Sequence, residues 1–224
     1  MGHPLAYPVI VTIGALAICV AWAPFCDSEQ VGMVGAVVLV VLGYSGFRGA
    51  VAFGVVSAGS ADASAGAVGK GARSVAVRRV RQQHRLVSRS WLEFGVGGRN
   101  RWLPVYFDPA LVGLTQASAE LSGRGVYIGE QRVYPSGRVR ATEPAGRLID
   151  NPSRPDAQAA ATAAHVASFG RRLLLDAQSA IAGPFAGLLW VYVAGGGPMA
   201  FAGATTIGAA VATWLAAVRG SDPS

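Results

Sequence analysis

Apolar residues in this chain are gathered into four long runs that occur in two pairs. The first pair covers about residues 8–23 and 31–53, and the second covers about residues 180–194 and 199–218. A membrane core of ~30 Å is crossed by ~20 mostly apolar residues in a helix, so each run predicts a transmembrane helix. The short connection within each pair predicts two helical hairpins.

The segment between the two pairs is polar and begins with a Ser-, Ala- and Gly-rich stretch. This composition in residues 57–72 is typical of a flexible linker. We therefore place the first transmembrane hairpin in residues 1–56.

The densest positive charge follows in residues 73–90. If this segment is helical, its arginines recur at three- and four-residue steps and form one basic stripe, made of Arg78, Arg81, Arg85 and Arg89. Such a basic juxtamembrane helix would contact anionic lipid or an acidic partner. Two alternatives stay open at this point. The stripe is a solvated face that only fixes membrane topology, or the alternation of Val75 and Val77 marks the start of a strand.

Residues 91–152 favour strands, because short runs of aromatic and β-branched residues alternate with turn residues. Gly97-Gly98 separates two of these runs and is typical of a hairpin turn. The sequence therefore predicts an α+β membrane protein, with four transmembrane helices in two hairpins and a small cytoplasmic β-rich domain of SH3- or OB-like size between them.

An alanine-rich amphipathic helix is expected to lead into the second transmembrane hairpin, over residues 153–220. Gly183 and Gly187 are four residues apart and form a small-xxx-small pattern, which is suited to close helix packing in a membrane.

Charge distribution predicts the orientation. Residues 57–182 hold 17 of the 19 basic residues and 9 of the 12 acidic ones, whereas residues 24–30 hold two acidic residues and no basic one. Arginine and lysine collect on the cytoplasmic side of membrane proteins. We therefore expect a multi-pass protein of the plasma (inner) membrane whose central domain and two termini are cytoplasmic.

Arg48 interrupts the second apolar run near its end. An arginine at the bilayer centre costs ~3 kcal/mol on insertion scales. At this position the side chain is expected to reach the headgroups, and the alternative is an inward orientation against a partner or a substrate phosphate. Arg48 is therefore a further candidate for lipid or partner binding.

The sequence contains none of the usual residue patterns for catalysis or metal binding. His3, His84 and His165 are far apart in sequence, and Cys19 and Cys26 suit neither a metal site nor a disulfide framework. We therefore predict no catalytic residue, no metal and no cofactor, and we expect that the protein is not an enzyme. Nucleic acid is not an expected partner, because the aromatic positions favour core packing.

A resemblance rests on residues 102–110, Trp-Leu-Pro-Val-Tyr-Phe-Asp-Pro-Ala, and 133–138, Val-Tyr-Pro-Ser-Gly-Arg. Placed between two helical hairpins, these segments resemble uncharacterised conserved membrane proteins of actinobacteria. The resemblance implies a plasma-membrane location and an accessory role, and it assigns no reaction to particular residues.

The functional expectation is a non-enzymatic accessory or scaffold protein of the plasma membrane. Its basic domain would dock anionic lipid and another membrane protein, for example of cell-envelope assembly or transport machinery. The alternative is a small homo-oligomeric transporter or channel with a cytoplasmic regulatory domain. That alternative requires a polar path, and the spans offer few polar residues: Thr12, Ser45, Arg48, Thr205, Thr206 and Thr213.

Overall fold

A computed structural model describes residues 3–58, 73–114, 116–122, 125–150 and 158–224. The chain forms two compact units. The helical unit comprises Ala6–Gly46 and Leu173–Val218, and the sheet unit comprises Met1–Leu5, Phe47–Arg172 and Arg219–Ser224. Most of the predicted linker, residues 59–72, lies outside the described residues.

The helices are α1 (Ala6–Trp22), α2 (Ser28–Ala52), α3 (Ala159–Val166), α4 (Phe169–Asp176), α5 (Ala182–Ala194) and α6 (Gly197–Val218). Within the described ranges, four helical segments are long and apolar enough to cross a membrane: Ala6–Phe25, Ser28–Ala52, Phe169–Ala194 and Gly197–Val218. The third segment combines α4, a 3₁₀ turn at Ala177–Ile181 and α5. The four apolar runs in the sequence thus correspond to four helices.

Small residues set the packing of α5 against α6. A Cβ added at Gly183 would lie 2.6 Å from the carbonyl oxygen of Thr205, and one added at Gly187 would lie 3.0 Å from the ring of Phe201. Both glycines are buried. The two residues of the small-xxx-small pattern therefore permit an approach that any larger side chain would block.

Two aromatic residues, Tyr7 and Trp214, join other helices of the helical unit through hydrogen bonds and apolar packing. Tyr7 donates a 2.6 Å hydrogen bond to Asp176, and the indole Nε1 of Trp214 donates to the hydroxyl of Ser45 at 3.0 Å. Tyr7 and Trp214 belong to one buried apolar cluster that also includes Val41. These two polar pairs are thus satisfied within the unit, as burial away from water requires.

The sheet unit contains seven strands in the described residues: β1 (Arg73–His84), β2 (Val87–Val96), β3 (Arg99–Val105), β4 (Gln116–Ser122), β5 (Gly125–Ile128), β6 (Gln131–Val133) and β7 (Arg147–Asp150). Their order is β3-β2-β1-β4-β5-β6, β7 pairs with β1, and all pairings are antiparallel. Trp102 and Val105 of β3 also form bridges to Arg140 and Pro135, just after β6. The sheet therefore curls until its two ends meet.

The curled sheet encloses an apolar core. Its buried members come from β1 to β6 and from a 3₁₀ turn at Pro109–Leu111, and they are Val75, Val77, Leu92, Phe94, Leu103, Val105, Leu111, Ala119, Leu121, Val126 and Val133. The turn between β2 and β3 is formed by Gly97 and Gly98, with φ of +58° and +73°, as a two-residue hairpin loop requires.

The basic helix predicted for residues 73–90 is wrong, because this segment is the β1–β2 hairpin. Val75, Val77 and Arg79 lie on one face of β1 and are buried, whereas Ala76 and Arg78 between them are exposed. This period of two buries the β-branched valines in the core, a gain that a helical arrangement would forgo. The β domain accordingly begins at Arg73, rather than at residue 91.

The helix expected from residue 153 onward is interrupted. α3 ends at Val166 and α4 begins at Phe169, and a 3₁₀ turn separates α4 from α5. Residues 153–157 lie outside the described residues.

Candidate functional site

The four arginines of the predicted stripe do not share a surface. Arg78 and Arg81 lie on opposite faces of β1, since they are three residues apart in a strand. Arg78 pairs with Glu93 of β2, with Nη2 and Oε2 2.7 Å apart. Arg81 donates from Nη1 to the main-chain oxygen of Ser224. Both of these guanidinium groups therefore have partners inside the sheet unit.

The other two arginines lie near the tip of the hairpin. Arg85 is exposed in the turn between β1 and β2 and has a φ of 54°. Arg89 lies on β2, opposite Gln82 of β1, and forms an isolated bridge with Ser221. Of the four predicted arginines, Arg78 and Arg85 are thus exposed, whereas Arg81 and Arg89 are half-buried.

Two exposed apolar residues accompany these arginines. Leu86 is 58% exposed and Val87 is 40% exposed, and in the described part of residues 73–150 they are the large apolar side chains with an exposed surface. Arg147 of β7 lies opposite Gln83, next to the turn, and is exposed. We call residues 83–89 together with Arg147 the hairpin tip.

A buried ion pair is the most enclosed polar group of the sheet unit. Arg79 Nη2 lies 2.7 Å from Asp222 Oδ2, and the two side chains are 2% and 0% exposed. Arg79 also donates from Nε to Ser90 Oγ at 3.1 Å and from Nη1 to the carbonyl oxygen of Leu111 at 3.0 Å. A third donation runs from Nη2 to Ser224 Oγ at 2.8 Å. The guanidinium is therefore saturated by the protein.

The carboxylate of Asp222 is satisfied in the same way. Ser90 Oγ donates to Oδ2 at 2.6 Å, while the amide and hydroxyl of Ser224 donate to Oδ1 at 2.9 and 2.7 Å. Burial raises the pKa of Asp222, but the positive charge of Arg79 and these hydrogen bonds outweigh burial, so the pKa lies below its ordinary value. Asp222 is thus held ionised.

This cluster attaches residues 219–224 to the sheet. The amide of Asp222 donates to the carbonyl oxygen of Ser88 at 2.9 Å, beside the bridge between Arg89 and Ser221. Because both charged groups are buried and bonded to each other and to neighbouring protein groups, we assign the ion pair a structural role. Sequence reasoning missed Arg79, although its spacing of two from Val77 and Val75 signals an inward position on a strand.

Arg48 and the two packing glycines lie in different units. Arg48 is partly buried near the end of α2, and a Cβ added at Gly137 would lie 3.4 Å from its Nη1. Its guanidinium thus lies beside the segment that follows β6, within the sheet unit. Gly183 and Gly187 lie in the helical unit, where they contact α6.

The helical unit contains a cavity of about 530 Å³. Its walls come from α1, the connection to α2, α2, α5 and α6, and they are mostly apolar, with Trp22, Phe25, Met33, Trp190 and Ile207 among the larger side chains. Asp27 and Gln30 supply polar groups. This composition suits a hydrophobic occupant more than water or an ion.

The polar residues of the helices mostly bond to their own backbone. The hydroxyls of Thr12, Thr206 and Thr213 each donate to the carbonyl oxygen four residues earlier, at 2.7 to 2.9 Å. Ser45 accepts from Trp214. These four hydroxyls are thus engaged within the unit, whereas the buried hydroxyl of Thr205 has no hydrogen-bond partner in the described part of the chain.

Among the described residues, no group of three or more His, Cys, Asp or Glu side chains could hold a metal ion. Comparisons with family models, with curated proteins and with solved structures gave no match. The functional conclusion therefore rests on the geometry and charge of the two units.

Proposed function

We propose that this chain is a non-enzymatic accessory or scaffold protein of the plasma membrane, in which membrane-spanning helices anchor a basic sheet unit that docks acidic surfaces. One observation carries this proposal. The described part of residues 73–150 exposes six arginines, Arg78, Arg85, Arg99, Arg138, Arg140 and Arg147, against three glutamates, Glu120, Glu130 and Glu143. A surface with this excess attracts anionic lipid headgroups and acidic protein partners.

The hydrophobic exposure of the helices supports membrane insertion. Leu39, Leu188 and Tyr192 are 71%, 60% and 88% exposed on helices that are long enough to cross a bilayer. In water such surfaces would aggregate, whereas in a bilayer they face lipid. The excess of arginine between the two hairpins supports a cytoplasmic sheet unit and cytoplasmic termini.

The partner we propose is another membrane protein, of cell-envelope assembly or transport machinery. The test is purification of the tagged full chain from native membranes in mild detergent, followed by mass spectrometry of stoichiometric co-purifying proteins. We expect a reproducible partner that dissociates at high salt, because exposed charge pairs are screened there. A chain that purifies alone at low salt would contradict the accessory role.

The alternative, a homo-oligomeric transporter or channel with a regulatory domain, is favoured by the cavity of about 530 Å³. The self-bonded threonines argue against a path within one protomer, so this function requires several copies. Native mass spectrometry of the purified chain separates the two proposals. A defined homo-oligomer without other proteins would favour the channel.

A further inference from the structure

The tip of the β1–β2 hairpin combines exposed apolar residues with a tight turn. His84 pairs with Val87, so Arg85 and Leu86 form a two-residue loop. Leu86 and Val87 stand out into solvent, although the other large apolar side chains of the described sheet are covered. An apolar pair at a protruding tip is suited to enter another apolar phase.

Positive charge surrounds this apolar pair. Residues 73–92 contain six arginines and no acidic residue. Of the six, Arg85 lies in the turn and Arg89 follows shortly after it, while Arg147 is contributed from β7. Arginines beside protruding apolar residues are typical of elements that dip into the headgroup region of an anionic membrane.

The turn breaks a local backbone preference. Arg85 has a φ of 54°, a region where glycine and asparagine are favoured over residues with long side chains. Its side chain is exposed, so burial in the core does not explain the choice. Strained positions of this kind concentrate at functional sites, and here the strain places a cation next to Leu86.

The last residues of the chain are attached beside the tip. Ser221 forms a bridge to Arg89, which is three residues from Leu86 along the hairpin. The amide of Asp222 donates to the carbonyl oxygen of Ser88 at 2.9 Å. The base of the tip is therefore fixed to residues 219–224, while Arg85, Leu86 and Val87 remain exposed.

We infer that the hairpin tip is a membrane-contact element that inserts Leu86 and Val87 at the boundary of headgroups and acyl chains of an anionic bilayer. Arg85 and Arg147, which are exposed, contact lipid phosphates beside them. The inference rests on the proposed function in one respect, the insertion of the helices in a membrane. It adds the lipid class, the residues and the mode of contact.

The test uses the full chain in nanodiscs, with Cys19→Ala and Cys26→Ser as the background. An environment-sensitive fluorophore is attached at Leu86→Cys, and in a second sample at Val87→Cys. The matched control is Arg99→Cys, at the start of β3 beside the turn at the other end of β2, about 30 Å away along that strand. Each sample is measured in phosphatidylcholine alone and with phosphatidylglycerol, using nitroxide-labelled lipid and a water-soluble quencher.

The inference predicts that both tip labels are quenched by lipid nitroxides in discs with phosphatidylglycerol, while the Arg99→Cys label is quenched only from water. Arg85→Gln should lower the ratio of lipid-contacting to free tips about fivefold, as expected for one basic side chain near an anionic surface, and Arg99→Gln should not. Tip labels that are as open to the aqueous quencher as the control would overturn the inference.

A third outcome also overturns it. Tip labels shielded from water but untouched by lipid nitroxides would identify a protein contact, such as a second copy of this chain. The test is independent of partner identification. If a protein co-purifies but the tip does not contact lipid, the proposed function stands and this inference is rejected. If the tip contacts lipid but no protein co-purifies, this inference stands and the accessory role is rejected.

Discussion

The two units treat apolar surface in opposite ways. On the helical unit, large apolar side chains such as Leu39 and Tyr192 are 71% and 88% exposed, and many others share this exposure. In the described sheet, the large apolar side chains are covered apart from Leu86 and Val87. An exposed leucine is therefore interpreted differently in the two units. Along a helix of this length it fits a segment that crosses a membrane, and on the sheet it supports the contact site that we propose.

The units also differ in how they achieve close packing. The sheet unit buries an ion pair that joins β1 to residues 219–224, whereas the helical unit removes side chains at Gly183 and Gly187 to let two helices approach. Changes at these features should therefore act on one unit at a time.

The largest effect is expected from Asp222→Ala. Removal of the carboxylate leaves Arg79 charged and buried without its counterion, and breaking one side of such a pair costs about 3–5 kcal/mol in the free energy of unfolding. Hydrogen exchange of the β1 and β2 amides in detergent should accelerate, while the amides of α5 and α6 keep their protection. Unchanged exchange in β1 would show that the ion pair contributes little.

A smaller effect, confined to the helical unit, is expected from Gly187→Val. The added side chain would collide with Phe201 and Thr205, and overpacking of this kind costs about 1–3 kcal/mol. Thermal unfolding of the helical unit should shift down, with β1 exchange unaffected. Gly43→Ala is the matched control, because a Cβ there meets no atom within 4 Å, and it should be neutral or slightly stabilising.

Acid should weaken the sheet unit by less than deletion of the carboxylate does, since a protonated Asp222 keeps some hydrogen bonds. Its pKa is lower in the folded protein than in the unfolded chain, where aspartate has a pKa of ~3.9. Its contribution to stability is therefore complete above that value and is lost as the pH falls through the folded-state pKa. Denaturant titrations of wild type and Asp222→Asn across this range should converge at low pH. A constant difference between them would contradict the assignment.

The smallest effect is expected from Arg78→Ala. In its ion pair with Glu93, the Arg78 side chain is 47% exposed and that of Glu93 is 9% exposed. Asn100 also donates to Glu93, so the carboxylate keeps a partner, and a pair with one solvated member contributes about 1 kcal/mol or less. Denaturant unfolding should show a change within that limit. If Arg78→Ala lowered the free energy of unfolding as much as Asp222→Ala does, solvent exposure would not explain the different strengths of the two ion pairs.

The sequence could predict the helices, because each span is a local run of apolar residues that needs no distant partner. The strands were partly predictable, through turn residues such as Gly97 and Gly98. For β1 a helix was predicted and a strand start at Val75 and Val77 was the alternative, because its arginines also fit a helical spacing. Only burial of Val75, Val77 and Arg79 on one face decides between the two periods. Local sequence patterns could not predict that Arg79 pairs with Asp222, since the two residues are 143 positions apart.

The central claim is a membrane protein whose basic sheet unit faces the cytoplasm, and labelling of matched cysteines in intact cells tests it most directly. Glu29→Cys and Glu143→Cys make the same chemical change at exposed positions, one in the first turn of α2 and one between β6 and β7. In a background without Cys19 and Cys26, a membrane-impermeant maleimide should label Glu29→Cys in intact cells and Glu143→Cys only after permeabilisation. Labelling of Glu143→Cys from outside would contradict the account.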